Sequence, residues 1–335
     1  MIIPFFIQNR GCPHRCVFCN QQISGDQGPA DWTDETFHEK IRTFLASRTG
    51  QASKAKGVQI AFYGGNFTGL AIPEQNRLLG LAHRHVEEGA VKGIRISTRP
   101  DALHIIDMGR LTAFGVKTVE LGAQSFVNSV LEASQRGHTG EDVEYAVALL
   151  KNNGFEVILH LMAGLPGDDR AGFDETVART IALHPDGVRI HPTLVLTGTA
   201  LAEDFRRGHY RPLSLDEAVD ICKEACRRLQ TAGIPVIRLG LQTTDMMNTP
   251  GALLGGPYHS AFGSLVDGAI WLERAVTLLD GADVRDKRLM MYVPARQESA
   301  FRGINNCNIQ QLQKKFQFAA LEIKSGSQTF NYRIF

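Results

Sequence analysis

The chain lacks an excess of either charge: Lys and Arg number 36, Asp and Glu 35, over 335 residues. No long-range field gathers nucleic acid, so any RNA-binding surface must be local. Long hydrophobic runs are missing too. The first apolar stretch stops at Gln8 and has no basic residues before it, so neither a signal peptide nor a membrane span is expected. Cysteine is scarce, six in all, and three of the six crowd into one segment. That usage suits a reducing compartment and metal ligation better than a disulfide framework, and a cytoplasmic location is expected. No internal repeat or low-complexity tract is evident. A 43% hydrophobic chain of this length can bury one large core or two smaller ones.

The crowded segment is Gly11 to Gln21, GCPHRCVFCNQ. Cys12, Cys16 and Cys19 are close enough in sequence to serve one inorganic centre. Three thiolates are one short of a closed site, so one metal position is left open for a substrate or cofactor. Zinc with a distant fourth ligand, His14 or Cys307, is the alternative that spacing leaves open.

Short apolar runs alternate with helix-period segments, which argues for repeated βα units and a parallel sheet. The candidate strands are 2–7, 58–63, 93–97, 117–121, 156–162 and 187–191, with 235–239 as a further one. Helical faces recur at Phe37, Ile41, Phe44 and Leu45, and at Val143, Ala146, Val147 and Leu150. Six units are too few to close an eight-stranded barrel, so the expected fold is α/β, a partial (β/α)6 TIM-like barrel. Ser214 and Glu217 form a capping-box pattern that opens a helix to about Ala232. Cys222 and Cys226 fall on its apolar stripe with Ala218, Ile221, Ala225 and Leu229, and read as core residues. Lys151 and Lys223 read as solvated helix residues.

Function in such sheets collects where strands hand over to loops. Those positions here are small and polar: FYGGNFTG from Phe62, STRPD from Ser97, ELGAQS from Glu120, RGHT from Arg136, HLMAGLPG from His160 and HPTLVLTGTAL from His191. Together with the C-x3-C-x2-C loop and Phe18 before its last cysteine, they resemble the radical S-adenosylmethionine (SAM) superfamily, closest to the radical domain of the Elongator catalytic subunit. A weaker resemblance runs to oxygen-independent coproporphyrinogen III oxidase. The resemblance covers about Ile2 to Leu239.

It implies a [4Fe-4S] cluster on Cys12, Cys16 and Cys19, and reductive cleavage of SAM to a 5'-deoxyadenosyl radical. Phe18 would lie against the adenine, Gly64 and Gly65 on the methionine moiety, Ser97 and Gln124 on the ribose and Arg136 on the SAM carboxylate. Thr68, Ser125 and His160 join them as expected cofactor contacts; for His160 the other reading is a hydrogen-bonded histidine inside the barrel. A reducing electron donor of flavodoxin or ferredoxin type is implied, and tRNA is an expected partner. The rivals are a small-molecule radical SAM reaction and a non-catalytic iron-sulfur protein that binds RNA or another partner.

A Gly-, Pro- and Thr-rich stretch from Gln242 to Gly263 suggests a boundary, giving a core domain at 1–241 and a small α+β extension at 242–335. The extension shows a strand-like run 289–293, a helix to about Phe316 and a strand 320–323. Too few residues follow Leu239 for the acetyltransferase domain that continues the Elongator subunit. Between Arg285 and Lys315 seven Lys or Arg face two acids, a locally basic segment. The GXXG loop of a KH module is absent from it.

Overall fold

The computed structural model describes residues 1–25, 32–47, 57–327 and 329–335, and divides into two compact units. One comprises 1–213 with 229–257, the other 214–228 with 258–335, so the units do not follow a single cut in the sequence.

The larger unit is a seven-stranded parallel sheet in sequence order: β1 (Ile2–Phe6), β2 (Gln59–Tyr63), β3 (Gly93–Thr98), β4 (Val116–Gln124), β5 (Glu156–Ala163), β6 (Gly187–Pro192) and β7 (Val236–Leu239). All the strands expected from the sequence are present, and the further candidate joins the sheet beside β6. Helices fill the crossovers: α1 (Asp34–Ala46), α2 (Ile72–Glu87), α3 (Ile105–Ala113), α4 (Gly140–Asn152) and α5 (Arg170–Leu183). Local sequence sets their starts. The Thr33 hydroxyl accepts from Thr36 N, Thr139 and Asp142 form a capping box, and Asp169 accepts from Gly172 N. Apolar strand faces meet these helices; Phe5 stacks on Phe37 with ring centroids 4.0 Å apart. Lys151 is not merely solvated: its ammonium donates to Leu183 O and His184 O, carbonyls at the end of α5.

The opposite face of the sheet is concave. Arg189 on β6 donates to the Tyr63 hydroxyl on β2 at 3.0 Å. Four strand spacings separate β2 from β6, about 19 Å if the sheet were flat. Only a strongly curled sheet brings them together, and this is the partial barrel.

In the smaller unit, the Ser214–Glu217 capping box starts α6 (Leu215–Thr231), whose last residues belong to the larger unit. Cys222 and Cys226 are buried, and burial raises both thiols, Cys226 to about 12. Lys223 is paired with Asp220 and Glu273 and so is not a free surface lysine. Then come α7 (Phe262–Leu279), β8 (Arg288–Pro294), α8 (Cys307–Phe316), β9 (Ala320–Ser327) and β10 (Asn331–Ile334). β8 lies between β9, parallel, and β10, antiparallel, over a core of Trp271, Leu279, Met291, Phe301, Leu312 and Phe318. Four of the seven cations in 285–315 are paired: Arg285, Lys287, Arg288 and Arg302 with Asp286, Asp283, Glu322 and Glu298.

Candidate active site

The loop after β1 carries the three cysteines, and the loop after β2 holds it in place. Asn9 N donates to Gly64 O at 2.6 Å, Asn66 N to Arg10 O at 3.0 Å, and Asn66 Nδ2 to Gly11 O at 2.8 Å. Asn66 is buried, and its Oδ1 accepts from the Thr98 hydroxyl at 2.6 Å and from Arg99 N at 3.1 Å. One amide thus ties the cysteine loop, the glycine turn and the end of β3. Gly64 takes a φ of 79°, and a Cβ on Gly65 would lie 2.6 Å from Arg10 O. The second glycine is therefore demanded by the cysteine loop itself, whatever a ligand adds.

Cys16 is buried; Cys12 and Cys19 are half-buried. Arg136 Nη1 donates to Cys16 Sγ at 3.1 Å, and its Nη2 to Gly122 O at 2.6 Å. Behind it, buried Arg99 is clamped by Asp101 at 2.9 and 2.8 Å and donates to Arg136 O at 2.5 Å. His138 Nε2 donates to Ala123 O at 3.1 Å, which leaves Nδ1 bare. Burial pushes the Cys19 thiol up to about 11, with Cys16 and Cys12 adding to the rise. Burial raises Cys12 as well, against the pull of Arg136. His138 is pushed down to about 3 by burial and by Arg136.

The other expected contacts divide. Phe18 packs on Val130, Met162 and Leu165, an apolar wall beside the loop. Ser97 is half-buried near the end of β3. Gln124 has a φ of 69° at a break in the β4–β5 register, a strain typical of ligand-binding turns. The Thr68 hydroxyl is bonded to that of Thr98. Ser125 is out of reach: its side chain is wholly buried, accepting from Val127 N at 3.1 Å and bonded to the Thr176 hydroxyl at 3.2 Å. It shapes the turn and is not placed to touch a cofactor.

His160 faces the concave side, bonded through Nε2 to Glu120 at 2.6 Å. Glu120 is fully buried and takes four donors: Tyr63 Oη at 2.7 Å, Arg95 Nη1 at 2.6 Å and Arg189 Nη2 at 2.9 Å on one oxygen, His160 on the other. Burial would raise this carboxyl, but His160, Arg189 and Arg95 hold it well below the ordinary range. The same surroundings push the Tyr63 phenol above its usual value. Sequence reasoning missed Glu120, Arg95, Arg189 and Asn66. The first three left a signal, a charged residue flanked by apolar ones within a strand.

Residues 7–180 match the Radical SAM superfamily, and residues 185–271 match the Radical_SAM C-terminal domain. The chain belongs to the radical SAM superfamily. Its curated relatives include the tRNA uridine(34) acetyltransferase of Methanocaldococcus jannaschii, 30% identical over 64% of this chain and 46% of that protein. Elongator complex protein 3 of Dictyostelium discoideum is 36% identical over 42% of this chain and 26% of that protein. The chain thus spans about half the length of the first of these. The solved Elp3 of Methanocaldococcus infernus shares the fold, with a TM-score of 0.60, 23% identity and coverage of 82% of this chain and 62% of that one. Coproporphyrinogen III oxidase from Escherichia coli does so at a TM-score of 0.50 and 20% identity, over 69% and 53%. The family is one of enzymes that use a [4Fe-4S] cluster and SAM, and this chain is a radical SAM enzyme.

The residues present fit those cofactors. Three thiols on one short loop, with the fourth iron left to SAM, are the donor set that a cubane takes. Zinc fits less well, since no group of three or more His, Cys, Asp or Glu among the described residues converges on a single ion. A cubane spreads its thiolates over different irons and needs no such convergence. Around the loop, buried Arg99 Nη1, Arg136 Nε and His138 Nδ1 have no hydrogen-bond partner among the described residues. Orphaned nitrogens on two arginines beside three thiols suit an anionic cluster and a ligand carboxylate.

Proposed function

We propose that Cys12, Cys16 and Cys19 hold the cluster and that Arg136 secures both the Cys16 sulfur and the SAM carboxylate. When bound and reduced, the cluster supplies a 5'-deoxyadenosyl radical from SAM. The chain's own part is to fix the loop through Asn66, to seat the adenine against Phe18 and Met162, and to keep water and oxygen from the site. The observation that carries this reading is the tie of Asn66 to Gly11, Thr98 and Arg99, which holds the three thiols beside the strand ends where a ligand would lie.

The substrate class we infer is a tRNA nucleoside. Support comes from the relatives that share this half of their length, three of which are named for uridine 34 of tRNA. Anaerobically reconstituted protein should bind about four irons and four sulfides per chain and release 5'-deoxyadenosine from SAM under dithionite. Cys12→Ala, Cys16→Ala and Cys19→Ala should each abolish both. One zinc per chain with no sulfide would overturn the cluster assignment. Sequencing of copurified RNA tests the substrate class, with enrichment of tRNA expected.

A further inference from the structure

The concave face of the barrel is short of negative charge. Arg95, Arg189 and Arg238 come from β3, β6 and β7, and Glu120 is the carboxylate bonded to the first two. Its lone pairs are already shared among four donors. Arg189 and Arg238 are direct partners in the β6–β7 register, and like charges so placed repel. Arg238 has no carboxylate partner among the described residues; its guanidinium is held below its usual value by burial and by Arg189. Two nitrogens in the same place are buried without a partner: Arg189 Nε and His191 Nδ1. His191, 5.8 Å from His160 ring to ring, is pushed down to about 3 by burial and by the charges of His160, Arg189 and Arg238. The other carboxylate that joins the network, Glu156, does so through Thr118. It lies four residues, about 13 Å, from His160 along β5.

An arrangement with surplus guanidinium charge and orphaned donors is stable when an anion completes it. The level of the face fixes what that anion belongs to. Tyr63 directly precedes the Gly64-Gly65 turn. The registers place Ser97, an expected SAM contact, beside Glu120 on β4. The cationic patch is therefore one layer inside the strand ends, beside a residue expected to contact SAM.

We propose that this face binds an oxyanion, a carboxylate or a phosphate, carried by the substrate, with Arg238 and Arg189 as its donors. The inference rests on the radical SAM reading of the strand ends and adds the chemistry of the substrate. Its test is calorimetric titration of the anaerobically purified full chain with uridine 5'-monophosphate, inorganic phosphate and malonate. Uridine and potassium chloride at matched ionic strength are the controls. Binding of a phosphate probe or of malonate beyond the chloride control is expected, and which of them binds names the source. Arg238→Gln should weaken that binding at least about tenfold, the loss of one charge-assisted bond. It should also raise the melting temperature of the empty protein, because a repulsion is removed. The surface variant Arg206→Gln should bind as the parent does. No oxyanion binding, or unchanged affinity in Arg238→Gln, overturns the proposal. Deoxyadenosine release on the same preparation separates the failures: protein that cleaves SAM but binds no oxyanion sinks this inference and leaves the family assignment standing.

Discussion

A Cβ at position 65 would sit 2.6 Å from the Arg10 carbonyl, closer than any relaxed contact. Gly65→Ala is therefore expected to displace the cysteine loop and to lower iron content after reconstitution. If the glycine served only the ligand, the variant would keep its iron and lose only SAM affinity; iron analysis beside SAM binding decides. Asn66→Ala removes three side-chain bonds from a buried position and should destabilise the protein by about 2–4 kcal/mol in urea unfolding. Two histidines, His138 and His191, contribute to the acid limb of stability. Both His138 and His191 are depressed to about 3, so above about pH 6.5 they are neutral folded or unfolded and contribute no pH dependence. Between about 6.5 and 3 the unfolded chain takes up protons that the folded one refuses. These two histidines alone bind about two protons on unfolding across that window, one fewer in His191→Asn, and Asp168 opposes them because burial raises its carboxyl to about 7 and the folded chain keeps that proton. Little of this was legible in the sequence. The cysteines announce themselves by spacing, but Asn66 acts through tertiary bonds to residues 32 to 55 positions away, and Ser125 looks like a ligand until its burial is known.

The β-strands of the larger unit were the most legible elements, because most are short apolar runs closed by glycine or a polar turn. Legibility failed where composition misleads. The Gly-rich stretch after Gln242 looks like a linker, yet Leu253–Gly255 pairs antiparallel with Val195–Leu196, and a Cβ on Gly256 would lie 2.9 Å from Thr193 O. Glycine there marks close backbone packing. α7 escaped the sequence reading because Gly263 and Gly268 interrupt its pattern; at Gly268 the helix packs near Ala300 and Asn308, and Asn308 Nδ2 donates to Gly268 O at 2.8 Å. α6 was legible through its capping box and apolar stripe, which carries a prediction: Cys222→Ser should keep full iron and sulfide content and lose about 1–2 kcal/mol of stability, from a hydroxyl buried without a prepared partner. Loss of iron in that variant would instead place Cys222 at the cluster.

For the whole molecule, balanced charge limits how RNA could be held. Of the seven cations between Arg285 and Lys315, four are paired with acids, and Arg296, Lys314 and Lys315 show no carboxylate partner among the described residues. If tRNA contacts this segment, the slope of log K against log salt should be no steeper than about −3, and Lys314→Glu with Lys315→Glu should flatten it by about 2. A much steeper slope would place the RNA elsewhere. The barrel has its own mechanical consequence. Among the described residues β1 and β7 share no ladder, so the sheet ends in two edges. A closed barrel could widen its mouth only by breaking backbone bonds. Here the curl across the five strands β2 to β6 is fastened by side chains, with the Arg189–Tyr63 bond as its clasp, and the aperture can spread while every strand keeps its neighbours. An anion that drew Arg189 away from Tyr63 would loosen that clasp, so that filling the site and opening its rim would be the same event.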